Sequence, residues 1–180
     1  MVILGIDPGS TIMGYGVIGL SRNQPELLLM GILDQRKICD HYEKISKIFD
    51  CTMQLIKEYK PTAMAIESPF FGNNIQSMLK LGRAQGAAIS AALHLSVPVF
   101  EYAPRKIKQS ITGHGDSSKE QIANMLHYIL KIELKPESLD ATDGIAAALC
   151  HYYQSCNPVK SGSAKNWEDF IKKNPGRVKN

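Results

Sequence analysis

A change of hydrophobic period near residue 40 constrains this chain more than any other feature. Before it, apolar, β-branched and aromatic residues come in short runs, Val2–Ile6, Tyr15–Leu20 and Leu27–Leu33. Runs of that length, interrupted by turn chemistry such as Asp7-Pro8-Gly9-Ser10, predict three strands in an antiparallel meander. After it, Tyr42, Ile45, Ile48, Phe49, Met53, Leu55 and Ile56 recur at helical spacing, which predicts a helix from Cys39 to Tyr59, stopped by Pro61. Strand and helix then alternate. Ala63–Ile66 reads as a buried strand ending on Glu67, and Ser68–Asn73 as a loop. Asn74 caps a helix reaching Leu93, and Val97–Tyr102 is a fifth strand. A short helix after Pro104, a Gly-containing loop at Thr112–Ser117 and helices over Ser118–Leu130 and Leu139–Gln154 complete the pattern.

Strands separated by helices are joined by crossovers, so strands one, four and five are expected to be parallel and central in a mixed α/β layer fold. Residues 1–156 read as one domain, long enough to bury its own core. Residues 157–180, rich in Lys, Ser, Gly, Asn and Pro, read as a basic and poorly ordered tail. The chain holds 21 Lys and Arg against 17 Asp and Glu, a net +4. The tail alone supplies that excess, with six basic residues and two acids, so the body is neutral. Overall charge therefore does not announce a nucleic-acid binder; sites must.

No apolar run approaches a membrane span, and Asp7 interrupts the N-terminal one, so no membrane partner and no signal peptide are expected. A cytoplasmic location with reduced thiols follows. Cys39, Cys51, Cys150 and Cys156 lack CxxC spacing, and Cys150-His151 with Cys156 does not make a tetrahedral metal set.

Four carboxylates carry the chemical reading. Asp7 ends strand one and Glu67 ends strand four, its expected parallel neighbour, and function gathers at such carboxyl ends. Asp140 and Asp143 lie three apart in the first turn of the last helix and share a side of it. Each also has a plain structural role: Asp7 shapes a turn, and the last pair suits a helix N-terminus. Glu67 is harder to explain so, because a Glu directly after Ala-Met-Ala-Ile is poor strand chemistry. Clustered together, the four need a cation. Mg2+ suits oxygen ligands, and two ions about 3.5–4 Å apart would clamp a phosphodiester for hydrolysis by metal-activated water.

Several blocks resemble the RuvC-type Holliday junction resolvases, the crossover junction endodeoxyribonucleases. They are Gly5-Ile6-Asp7-Pro8-Gly9-Ser10 with Gly14-Tyr15-Gly16-Val17, and Ala65-Ile66-Glu67 followed by Phe70. Next come Leu79-Lys80-Leu81-Gly82-Arg83-Ala84-Gln85-Gly86 and Tyr102-Ala103-Pro104-Arg105-Lys106-Ile107-Lys108. Gly113-His114-Gly115, Lys119 and Asp140-Ala141-Thr142-Asp143-Gly144-Ile145-Ala146 close the series, in family order from residue 1 to 153.

The resemblance implies a ribonuclease H-like fold, a five-stranded mixed sheet in the order 3-2-1-4-5 with strand 2 antiparallel, flanked by helices. It implies a homodimer that cuts four-way DNA junctions with Mg2+, two ions per site, for which Mn2+ can substitute. A branch-migration helicase is the implied partner complex. The family's catalytic acids fall on Asp7, Glu67, Asp140 and Asp143, the same four reached by spacing, and its active-site lysines on Lys108 and Lys119. Its base-stacking aromatic falls on Phe70, with Phe71 beside it; stacking of this kind is worth about 1–3 kcal/mol per base. Lys80, Arg83, Arg105, Lys106, Lys108 and Lys119 concentrate positive charge against only Glu101 and Asp116, and are candidate DNA contacts. Lys119 at a helix start is disfavoured by the dipole unless an anion is near. Gly82, Gly86 and Ser90 at four-residue spacing allow close helix approach, and the family's symmetric dimer places its contact there.

Small departures bear on DNA contacts and leave the acids intact. Thr11 stands where the family often has a basic residue, Arg83 and Gln85 are exchanged, and Gly144 replaces the usual Ala, weakening its helix slightly. Three rivals remain. An actin-like or sugar-kinase ATPase shares Asp-Pro-Gly-Ser-Thr but needs a second lobe. A nuclease acting on RNA–DNA hybrids shares the carboxylates. A non-catalytic junction binder would not need all four acids.

Overall fold

The computed structural model describes residues 1–21, 24–69, 74–133 and 139–156. β1 (Val2–Asp7) runs antiparallel to β2 (Ile12–Ser21), with Asp7 opposite Gly14. β2 pairs along its whole length with β3 (Gln24–Asp34), from Ile12↔Asp34 to Ser21↔Gln24, with one register shift at Val17/Ile18. This pairing extends both strands beyond the apolar runs Tyr15–Leu20 and Leu27–Leu33. Backbone hydrogen bonding does not require apolar side chains, so polar ends such as Gln24 and Glu26 stay in the ladder.

α1 (His41–Tyr59) starts after Asp40, whose carboxylate accepts the Glu43 N–H at 2.8 Å, and ends where Lys60 turns left-handed. β4 (Ala63–Glu67) returns parallel to β1. α2 (Ile75–His94) is capped by Asn74, which accepts the Ser77 N–H. β5 (Val99–Tyr102) pairs parallel to β4. It begins two residues later than its apolar pattern suggests. The Val97 N–H is held by the carbonyl of Ala92 at the exit of α2, and Pro98 has no N–H to donate. α3 (Pro104–Thr112), α4 (Lys119–Leu130) and α5 (Leu139–Cys156) follow.

The sheet order is β3-β2-β1-β4-β5, as the resemblance implies. Strands one, four and five are parallel, but β5 is an edge strand and not a central one: among the described residues only helices follow it. Two cores flank the sheet. Ile48, Leu55 and Ile56 of α1 and Ala84, Ala88 and Ala92 of α2 bury Leu4, Ile6, Met64 and Ile66 on one face. α3, α4 and α5 bury Ile3, Ile18 and Ala65 on the other. Strand alternation then fixes a consequence for the site. Asp7 shares the face of Ile3, and Glu67 that of Ala65, so both carboxylates stand on the α5 side.

Candidate active site

The register places Ile6 beside Ile66, so the next residues, Asp7 and Glu67, end adjacent parallel strands. α5 brings the other two acids over them. It approaches so closely that a Cβ on Gly5 would lie 2.0 Å from the Gly144 carbonyl oxygen, and one on Gly144 would lie 2.6 Å from the Tyr15 Cα. Gly14 has the same relation to the Asp140 carbonyl, at 2.1 Å. Gly144 therefore does more than loosen a helix: it permits the approach that sets Asp140 and Asp143 against β1 and β2. Asp143 points inward, 16% exposed at its side chain, while Asp140 is 49% exposed at the mouth.

Asp7, Glu67, Asp143, Lys108 and Lys119 line one cleft of about 200 Å3, closed behind by Pro104, Ile107, Ile122 and Ala146. A second depression of about 260 Å3 adjoins it at Asp7 and runs over Gly9, Ser10, Thr11, Ile12 and Gly14 to Asp140. Burial first, then the Asp143 charge, pushes Asp7 up to about 6 against the opposing pull of Lys119. Burial first, then Asp7 and Asp143, pushes Glu67 up to about 8, opposed by Lys108 and Lys119. The anion that a cation at the start of α4 requires is the acid pair itself: Lys119 Nζ donates to Asp143 Oδ2 at 2.8 Å and to Asp140 Oδ1 at 3.4 Å. Lys108 Nζ donates to the Ser117 carbonyl at 2.9 Å, which holds it beside Glu67.

Among the described residues no three Asp, Glu, His or Cys side chains already stand in an arrangement that could hold a metal ion, and Lys119 bridges Asp140 and Asp143. The donor set nevertheless fits a hard divalent cation. Every candidate ligand is a carboxylate, and burial first, then mutual repulsion, disfavours the charged forms of Asp7 and Glu67, which a cation would favour.

The remaining candidates are dispersed. Lys80 lines a third, smaller pocket. Arg83 is exposed on α2, and Arg105 and Lys106 are exposed on α3, with Arg105 3.9 Å from Asp116. Gly82 and Gly86 have open space where a Cβ would stand, and with Ser90 they lie on the side of α2 away from its buried alanines. Phe70 and Phe71 lie outside the described residues, as does the tail 157–180.

Sequence reasoning missed two supports of the lysines and the acids. Thr112 and Ser117 hydroxyls meet at 2.7 Å and close the turn between α3 and α4, fixing the carbonyl that holds Lys108. Buried Gln85 donates to Glu101 Oε2 at 3.0 Å, beside the backbone of Glu67. Hydroxyls in a Gly-containing loop were the available signal for the first; nothing local marks the second.

Comparison with known proteins adds the following. The model of the crossover junction endodeoxyribonuclease RuvC family matches residues 3–151. The RuvC protein of Bacteroides fragilis is 54% identical over 180 residues, covering 99% of this chain and 96% of that protein. That of Porphyromonas gingivalis is 51% identical over 184 residues, covering 99% and 97%. Among solved structures, Thermus thermophilus RuvC in complex with Holliday junction substrate superposes with a TM-score of 0.79 at 32% identity, covering 86% of this chain and 94% of that one.

Proposed function

The chain belongs to the RuvC family of crossover junction endodeoxyribonucleases, and on that premise we propose that it resolves four-way DNA junctions by hydrolysing phosphodiesters, in homologous recombination and DNA repair. The observation that carries the reading is the meeting of Asp7, Glu67 and Asp143 with Lys108 and Lys119 in one cleft. Asp7, Glu67, Asp140 and Asp143 would hold Mg2+, two ions per site, with Mn2+ able to substitute. Held by these four carboxylates, such ions would supply an acidified water and Lewis acidity toward the departing oxygen. Lys108 and Lys119 offer ammonium donors to the phosphate oxygens as charge grows on them. The carbonyl that holds Lys108 sets its direction, so less is lost to reorganisation during the reaction.

Two copies related by a two-fold axis, joined through the Gly82, Gly86 and Ser90 side of α2, would nick opposed strands symmetrically. Phe70, with Phe71 beside it, is the candidate to stack on a junction base, and Lys80, Arg83, Arg105 and Lys106 take up the DNA backbone. Residues 157–180 form an accessory basic tail beside the nuclease domain 1–156 and add salt-dependent affinity. The protein works in the cytoplasm with a branch-migration helicase complex. No described helix is long and apolar enough to cross a membrane.

Incubation with a mobile four-way junction, with and without Mg2+, and mapping of nicks on all four strands tests the reading. Paired symmetric nicks that require Mg2+ are expected. Asp7→Asn should lower the cleavage rate by about 10^3-fold or more while junction binding survives. Retained cutting by Asp7→Asn refutes the mechanism, and equal cutting of an RNA–DNA hybrid favours the hybrid nuclease instead. A monomer by light scattering at micromolar concentration would refute the dimer.

A further inference from the structure

One pocket beside the cleft has a lining of which the reading above uses only Lys80, as a backbone contact. It is a cavity of about 120 Å3 lined by Ser10, Thr11, Cys39, His41, Lys44 and Lys80. Its walls come from the β1–β2 turn, the start of α1 and the first half of α2. That volume is well below the roughly 300–1,000 Å3 of a small-molecule site and suits a single small anionic group.

The lining is positive. It contains two lysines and no carboxylate. Of the nearest acids in sequence, Asp40 caps α1 by accepting the Glu43 N–H at 2.8 Å, and Glu43 pairs with Lys47 at 3.1 Å. Neither Lys44 nor Lys80 has an ion-pair partner among the described residues. His41 contributes a second and independent sign. Its Nε2 is buried and has no hydrogen-bond partner among the described residues, so a polar group is left unsatisfied beside the pocket. Ser10 and Thr11 add hydroxyl groups, and the first residue of α1 adds the positive end of a helix.

Position gives the pocket its meaning. It shares Ser10 and Thr11 with the depression that runs to Asp7 and Asp140, and that depression shares Asp7 with the cleft of Glu67, Lys108 and Lys119. The three hollows are thus linked by shared lining residues, with carboxylates in the middle and lysines at both ends.

We propose that Ser10, Thr11, His41, Lys44 and Lys80 form a second anion subsite, which takes a backbone phosphate of the junction next to the one being cut. This rests on the junction-nuclease reading. The subsite makes no contact with the reacting atoms. It fixes the register of the strand, so that the scissile phosphate falls over Asp7 and Glu67, as phosphate contacts do in DNA complexes generally.

The test uses the full chain and a fixed four-way junction, with binding measured across a salt series in Ca2+, so that affinity and cutting are read separately. Lys44→Ala and Lys80→Ala should each weaken junction binding by about fivefold to tenfold and lower the slope of log affinity against log salt by about 1. Lys57→Ala, the same charge change elsewhere on α1, should leave both unchanged, and Lys44→Arg should restore most of the affinity. Neutral methylphosphonates are then placed singly within three positions of the nick. One position should weaken the wild type and leave Lys44→Ala no weaker than before. The inference is overturned if the wild type cuts the junction while Lys44→Ala and Lys80→Ala, folded by circular dichroism, match Lys57→Ala, or if no methylphosphonate couples to Lys44. If the wild type neither binds nor cuts a junction, the nuclease reading itself fails and takes the subsite with it. Wild-type cleavage, scored first, tells the two failures apart.

Discussion

The α1–α2 pair and α5 cover opposite faces of one sheet and meet it by different means. α1 and α2 reach the strands through side chains, with Ile48, Leu55 and Ile56 filling the space over Leu4, Ile6 and Met64. α5 meets them with backbone, since Gly5, Gly14, Gly16 and Gly144 remove the Cβ atoms that would hold it off. A side-chain layer repacks when one residue changes, whereas a backbone contact has nothing to yield. The chemistry sits on the unyielding face. There, a displacement of α5 moves Asp140 and Asp143 relative to Asp7 and Glu67, and the carboxylate geometry is lost.

Gly5→Ala should produce the largest effect. The added Cβ meets the Gly144 carbonyl oxygen at 2.0 Å, so α5 must shift. A loss of about 3 kcal/mol or more is expected by denaturant unfolding, together with a fall in cleavage per folded molecule. Unchanged stability would end the distinction between the two faces.

Next is the pH dependence of the metal-free protein. Asp7 is raised from 3.8 to about 6 and Glu67 from 4.5 to about 8, so the folded chain binds these protons more tightly than the unfolded one. Their contribution is greatest at low pH and is lost as pH rises from about 4 to 8, a decline on the order of several kcal/mol. Melting in EDTA across that range should show it. Excess Mg2+ should flatten it, because the ion favours the deprotonated carboxylates.

Ile48→Val on the side-chain face should cost about 1 kcal/mol and leave cleavage per folded molecule unchanged, since the layer can relax toward the missing methyl. A loss of activity larger than the loss of stability would show that this face also holds the acids in place. Smallest of all, Gly86→Ala on the outer side of α2 meets nothing within 4 Å and should stabilise the folded subunit by up to about 1 kcal/mol. If that side joins two copies, the same change weakens the dimer, which sedimentation at falling concentration would show.

Much of this was legible in advance because the signals are local. Periodicity placed α1, and Asn74 read as the cap of α2, where its side chain accepts the Ser77 N–H. The acids were visible because a carboxylate after an apolar run has few structural uses. The strand limits were less legible, because β2 and β3 extend each other by backbone pairing that side chains do not report. The central place expected for β5 failed for a related reason: whether a strand gains a second neighbour depends on what the chain adds afterwards.

By itself, the sequence determined which segments are strand or helix and put an acid at the end of β1, at the end of β4 and in the first turn of α5. Alternation along a strand and spacing along a helix are fixed over a few residues, and both are written in the local pattern. Only the tertiary structure decided what those acids meet. Lys119 reaches Asp140 and Asp143 across 21 and 24 residues of chain, and Ser10 and Thr11 face Lys44 and Lys80 from separate elements. Those meetings depend on how closely α5 settles on glycine-bearing strands and how α1 and α2 lie across the sheet. Both are set by packing in three dimensions, which no stretch of sequence encodes alone.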